Sequence, residues 1–95
     1  DGAPTGVLVD NAQGLVDRVI PPPTRDEERA ALRLAAAELH RVGLVGVHDA
    51  GERRAAIELI EEMAGRGELD LRTYVMIGDD SADVAHYLAR GPRSA

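Results

Sequence analysis

The 95-residue chain contains no Phe, no Trp, no Lys and no Cys. Aromatic side chains carry the largest burial per residue, and much of the apolar count here is Ala, so little bulky surface is available for a core. A chain of this length is already marginal as a self-supporting domain. Its Ala-rich stretches therefore suit close packing against a larger parent. All eleven basic residues are Arg. That excludes a Schiff-base lysine, a phosphate-loop lysine and a carbamylated lysine within this sequence. The absence of Cys excludes a disulfide, a thiolate nucleophile and a Cys-ligated zinc. Positive charge is also short, with eleven basic against seventeen acidic residues and a formal net charge of −6. The basic footprint of a nucleic-acid binder is missing, and no nucleic-acid partner is expected. No apolar run approaches the length of a membrane span, and the secretory pattern of a basic start with an apolar core is absent. The expectation is a cytoplasmic protein without a membrane partner. The opening, Asp1-Gly2-Ala3-Pro4, has no Met and predicts a cut, processed or internal start.

The sequence does carry a regular alternation of helix and strand signals. Residues 1–6 read as a turn, and Gly6 to Asp10 as a short apolar run compatible with a strand. Asn11 to Ile20 is weakly helical, with Leu15, Val16, Val19 and Ile20 on one face. Pro21-Pro22-Pro23 then imposes an extended segment. Thr24-Arg25-Asp26-Glu27 has the form of a capping box, and it opens a helix predicted to run to Arg41 or Val42. Gly43 can close that helix in the left-handed conformation. Leu32, Ala35, Ala36, Leu39 and Val42 recur at helical spacing as its buried stripe. Leu44 to His48 reads as a strand covered on both faces. Glu52 to Ala64 reads as a helix with Ala56, Ile57, Ile60, Met63 and Ala64 inward, ended by Gly65-Arg66-Gly67. Leu71 to Ile77 is the second strand, and Ser81 to Arg90 a third strong helix closed by Gly91-Pro92. The order from Thr24, helix–strand–helix–strand–helix, predicts an α/β fold with parallel strands. Two strong strands do not make a stable sheet alone, so a slice of a (β/α) barrel or of a doubly wound sheet is expected.

The stretch Leu44-Val45-Gly46-Val47-His48-Asp49-Ala50-Gly51 carries the densest chemical signal. An apolar strand that ends in His-Asp delivers polar side chains to the C-terminal rim, where α/β folds place their chemistry. His48 would serve as a ligand or proton shuttle, and Asp49 as its orienter or a substrate contact. The alternative is a satisfied strand end, with Asp49 accepting backbone donors at the start of the next helix. Gly78-Asp79-Asp80 ends the following strand; paired carboxylates can bind a divalent cation, but no third ligand accompanies them, and helix capping is favoured. His40 suits the end of the first strong helix, and His86 lies on the last. The three histidines form neither a His-x-His nor an i, i+4 pair, so metal-ligand spacing is absent. Gly43-Leu44-Val45-Gly46 is not a dinucleotide fingerprint, because its glycines precede or lie within the strand instead of following it.

The chain resembles an internal segment of the YtcJ-like amidohydrolases, the amidohydrolase family 3 branch of the metal-dependent hydrolase superfamily. The likeness rests on Pro4-Thr5-Gly6-Val7-Leu8-Val9-Asp10-Asn11, on Pro21-Pro22-Pro23-Thr24 leading into a helix, and on Gly43 to Gly51. Gly67-Glu68-Leu69-Asp70-Leu71-Arg72-Thr73-Tyr74-Val75-Met76 and the ending Leu88-Ala89-Arg90-Gly91-Pro92 extend it over nearly the whole chain. The resemblance implies a partial TIM barrel, with residues 1–23 as a pre-barrel connection and residues 24–95 as barrel strands two and three with flanking helices. It implies a parent that hydrolyses amide-type C–N bonds of a small-molecule substrate with a metal-activated water. In the family a His-x-His metal pair lies upstream on strand one. A lysine lies downstream on strand four, single histidines on strands five and six, and an aspartate on strand eight. None of these positions falls in this segment. The resemblance therefore implies a divalent metal, with zinc the expected ion, bound by the parent and not by this segment. His48 and Asp49 would line the mouth beside it, and the segment alone would be inactive. Its partners would be the remainder of the parent barrel, with a homo-oligomer as the other assembly. The competing class is a stand-alone acidic α/β binding or assembly module without catalysis. A receiver-like acidic pocket built on Asp49 and Asp79-Asp80 ranks last, since it lacks the usual lysine.

Overall fold

Thr24 fixes where the first long helix begins. Its hydroxyl accepts the backbone N–H of Glu27 at 3.3 Å, and the Glu27 carboxylate accepts the Thr24 backbone N–H at 2.7 Å. This reciprocal cap satisfies two orphan donors of helix α2, Arg25–Arg41. The computed structural model describes residues 2–92; residue 1 and residues 93–95, the outer ends of the 1–23 and 24–95 spans, lie outside the described residues. At the far end of α2, the Gly43 N–H bonds the His40 carbonyl and the Leu44 N–H the Leu39 carbonyl, with Gly43 at φ +83°. That closure needs the left-handed backbone that glycine adopts freely.

Beyond α2 the order is strand β1 (Gly46–Glu52), helix α3 (Arg54–Gly65), strand β2 (Arg72–Ile77) and helix α4 (Ser81–Arg90). β1 and β2 pair in parallel, from Gly46↔Arg72 to Ala50↔Met76 and on to Glu52↔Ile77. The α/β class with two parallel strands is as expected. The strand expected at Leu44–His48 is displaced toward the C-terminus and ends at Glu52. The physical reason is that the Leu44 N–H is spent on closing α2, while pairing with β2 carries the extended backbone past His48.

Residues before Thr24 depart further from expectation. Gly6–Asp10 forms no strand, and Val7 stands 71% exposed. No strand among the described residues pairs with it; the Val7 N–H turns back to the Thr5 hydroxyl at 3.3 Å, and the Val9 carbonyl accepts the Ala12 N–H at 3.1 Å. Helical character over Asn11–Ile20 contracts to a 3₁₀ turn at Asp10–Gln13 and the single turn α1, Gly14–Asp17. Leu15, Val16, Val19 and Ile20 remain exposed, so no buried face holds a longer helix.

The core is small and lies on one side of the sheet. Ala36 of α2, Leu59, Ile60 and Met63 of α3, and Leu69 form it, with Leu32, Leu71 and Val75 packed against them. Leu59 was absent from the expected inward set of α3, yet it is fully buried, because α3 turns that side toward α2. Of the expected α2 stripe, Ala36 is buried and Leu32 and Leu39 are partly so, whereas Ala35 and Val42 are exposed. The other face of the sheet is uncovered, contrary to the two-sided cover expected of a parallel strand.

Ion pairs supplement this modest core. Arg25 and Arg29 of α2 bond Glu62 of α3 at 2.7 and 2.8 Å, and Arg29 and Arg33 bond Glu68 at 3.0 and 2.6 Å. Arg66 joins Glu62 from within the last turn. The donated bonds from Arg25, and then Arg29, hold the Glu62 pKa at about 2 instead of its ordinary 4.5. A carboxylate whose pKa is depressed on folding stabilises the fold above its unfolded pKa, and that contribution disappears as pH falls toward the folded value. Urea midpoints should therefore decline as pH drops from about 4.5 to about 2. In Glu62→Gln the decline over this window should be shallower than in wild type. Parallel wild-type and variant profiles would show that Glu62 does not couple the helices to pH.

Candidate functional site

In a strand, successive side chains point to opposite faces. Val47 and Asp49 alternate with His48 and Ala50, and the exposure pattern of β1 follows that alternation. Val75, the register partner of Asp49, packs against the core, so Asp49 lies on the face toward α2 and α3. There it borders an open groove of about 300 Å³ together with Glu28, Leu32, Glu52 and Ile60. His48 lies on the uncovered face, directly opposite Tyr74 of β2. The two rings stand 5.0 Å apart between centroids and are tilted by 40°.

The two residues of the expected rim pair are not brought together. His48 and Asp49 sit within β1 and on opposite faces of it, so the carboxylate does not orient the imidazole. Nor does Asp49 cap the following helix: α3 begins after Arg53, and the Arg54 N–H is held by the Asp83 carboxylate of α4 at 2.9 Å. Sequence reasoning missed both Asp83 and Tyr74. Asp83 gave no local signal, since it caps a helix twenty-nine residues away. Tyr74 was readable once the pairing was known, because it shares a face with Arg72 and Met76 at period two.

The C-terminal end of the sheet is shaped by glycine. Between Ala50↔Met76 and Glu52↔Ile77, Gly51 has no partner on β2 and adopts φ +93°. Such a bulge re-aims the residues that follow it. The Gly78 N–H donates to the Glu52 carbonyl at 2.8 Å, and a Cβ on Gly78 would come within 3.1 Å of the Gly51 carbonyl oxygen. Just beyond, Asp80 caps α4 by accepting from Ala82 and Asp83 at 2.9 and 3.0 Å. The capping role expected of Gly78-Asp79-Asp80 is thus fulfilled by Asp80. Among the described residues Asp49, Asp79 and Asp80 form no shared metal-binding group of the receiver kind.

His40 occupies the last turn of α2, and His86 lies on α4 against the edge of Tyr87. The three histidines are thus on three different elements. Among the described residues no three His, Asp or Glu side chains come together as a metal-binding group. With His48 and Asp49 divided between faces, these two side chains do not share a metal site.

The alternating helices and parallel strands define an α/β protein with a one-sided layer of helices. The amidohydrolase family model matches residues 1–92, and the chain belongs to that family. The chain is also similar to the Bacillus subtilis (strain 168) protein named "Putative amidohydrolase YtcJ", with 27% identity over 88 residues. That alignment covers 87% of this chain and 17% of the relative, so the chain spans about a sixth of that protein's length. No solved structure matches it significantly.

Gly51 is the residue on which the C-terminal end of the sheet turns. Forcing a Cβ into a left-handed position costs roughly 1–2 kcal/mol. Gly51→Ala should lower unfolding free energy by about that amount, read from the urea midpoint at constant slope. An unchanged midpoint would show that this bend tolerates an ordinary residue.

Proposed function

We propose that this chain is a segment of a metal-dependent amidohydrolase and contributes two neighbouring strands, with their helices, to a (β/α) barrel. The observation that carries the reading is the one-sided sheet. Its helices cover one face, while the other is left bare along the run Gly46, His48, Ala50 and Arg72, Tyr74, Met76. A closed barrel of parallel strands has helices outside and side chains filling the inside, and family membership supports the same arrangement. Residues 24–95 would then supply barrel strands two and three, and residues 1–23 the connection that precedes them.

On this reading the parent hydrolyses an amide-type C–N bond of a small molecule. The catalytic metal, with zinc the expected ion, would be held outside this segment. The segment alone would be inactive. The remainder of the barrel is its natural partner, covering the bare face and pairing with the open edges of β1 and β2. Among the described residues no helix is long and apolar enough to cross a membrane, and a cytoplasmic hydrolase is the proposed setting. His48 is the proposed site residue, because its imidazole faces what would be the barrel interior. Asp49, facing the helices, would act on the fold.

His48→Ala in the complete hydrolase that carries this segment should lower kcat/KM at least tenfold, or about 1.4 kcal/mol of transition-state stabilisation. Steady-state kinetics on the purified variant make the check, and wild-type efficiency would remove His48 from the site.

A further inference from the structure

We infer that Tyr74 is the positioning residue for His48, holding the imidazole through ring contact and not through its hydroxyl. The inference rests on the hydrolase reading above and adds a residue to it. His48 makes no side-chain hydrogen bond among the described residues, and Asp49, its neighbour in sequence, is on the other face. Along its own strand the flanking residues on the bare face are Gly46 and Ala50, which reach too little to restrain a ring. Across the sheet the register sets Tyr74 directly opposite. The centroid distance of 5.0 Å and the 40° tilt lie within the range of attractive aromatic pairs. The Tyr74 side of the imidazole is therefore closed; the other neighbours on this face are Arg72, whose side chain lies beside Gly46, and Met76, opposite Ala50.

Tyr74 itself is 64% exposed, so this ring is not committed to the core of the segment. Val75 and Thr73 on the same strand turn toward the helices, and Val75 alone of the three packs on the core cluster. At position 74 the exposed ring contacts the imidazole, and its work is to limit the rotamers open to His48.

The test compares Tyr74→Leu, Tyr74→Phe, His48→Gln and the Tyr74→Leu/His48→Gln double variant in the complete hydrolase, with a panel of N-acyl p-nitroanilides as probe. Tyr74→Leu should lower kcat/KM about tenfold, mainly through kcat. Tyr74→Phe should recover efficiency to within about threefold of wild type. In the His48→Gln background Tyr74→Leu should cost nothing further, since residues acting as one unit are not additive. Full activity in Tyr74→Leu, equal losses in Tyr74→Phe and Tyr74→Leu, or additive losses in the double variant would each overturn the inference while leaving the hydrolase reading intact. A wild-type protein inert across the whole panel would overturn that reading, and this inference with it. If Tyr74→Leu fails to fold, the Tyr74→Phe comparison still separates ring from hydroxyl.

Discussion

Helix α3 is the element on which the rest of the structure depends. Its inner face supplies Leu59, Ile60 and Met63 to the core, and its outer residues tie the neighbouring helices to it. Glu62 receives Arg25 and Arg29 from α2, Glu61 receives Arg90 from α4, and the α3 N-terminus is held by Asp83. A chain without Phe or Trp cannot gather its helices around one large side chain. It uses a few aliphatic residues and a dense Arg–Glu lattice instead. Such exposed pairs are individually weak; here Arg29 bridges two carboxylates and Glu62 accepts from three arginines, which makes the lattice a network. The Arg25 and Arg29 guanidiniums that dock α2 on α3 also hold the Glu62 carboxyl well below the usual carboxylate range.

That arrangement leaves the sheet asymmetric. α2 and α3 pack on the face where Val75 lies, α4 is tied to α3 through Arg90–Glu61 and Asp83, and the opposite face keeps His48, Tyr74 and Met76 in the open. Parallel strands are stable when both faces are covered, and two strands leave two unpaired edges. These are the physical demands that a surrounding barrel would meet, and they give the family assignment a structural counterpart.

Much of this was legible in the sequence because the signals are local. Thr24 and Glu27 specify a cap by their spacing, and Gly43 marks the helix end by its backbone freedom. The α/β alternation follows from the periods of the apolar residues. What was not legible depends on pairing. Leu44 and Val45 have the composition of a strand, but closure of α2 takes the Leu44 N–H, and the strand begins two residues later. The apolar run at Val7–Val9 looks equally extended, but among the described residues no strand pairs with it. Asp83 caps α3 from another helix, a relation that no window along the chain contains.

The same distinction governs the candidate site. His48 and Asp49 are adjacent in sequence, and adjacency invites a paired role when they are placed in a rim loop, where the backbone can turn both side chains one way. Once the strand extends to Glu52, the period of two separates them by the full thickness of the sheet. The chemically meaningful neighbour of His48 is then the residue across the strand, Tyr74, at a sequence distance of twenty-six. A shift of strand boundary by a few residues has therefore exchanged one proposed partner for another of different chemistry. The carboxylate that could have carried charge to the imidazole belongs to the helix layer, and the group that meets the ring is another ring, which supplies shape and orientation without a proton.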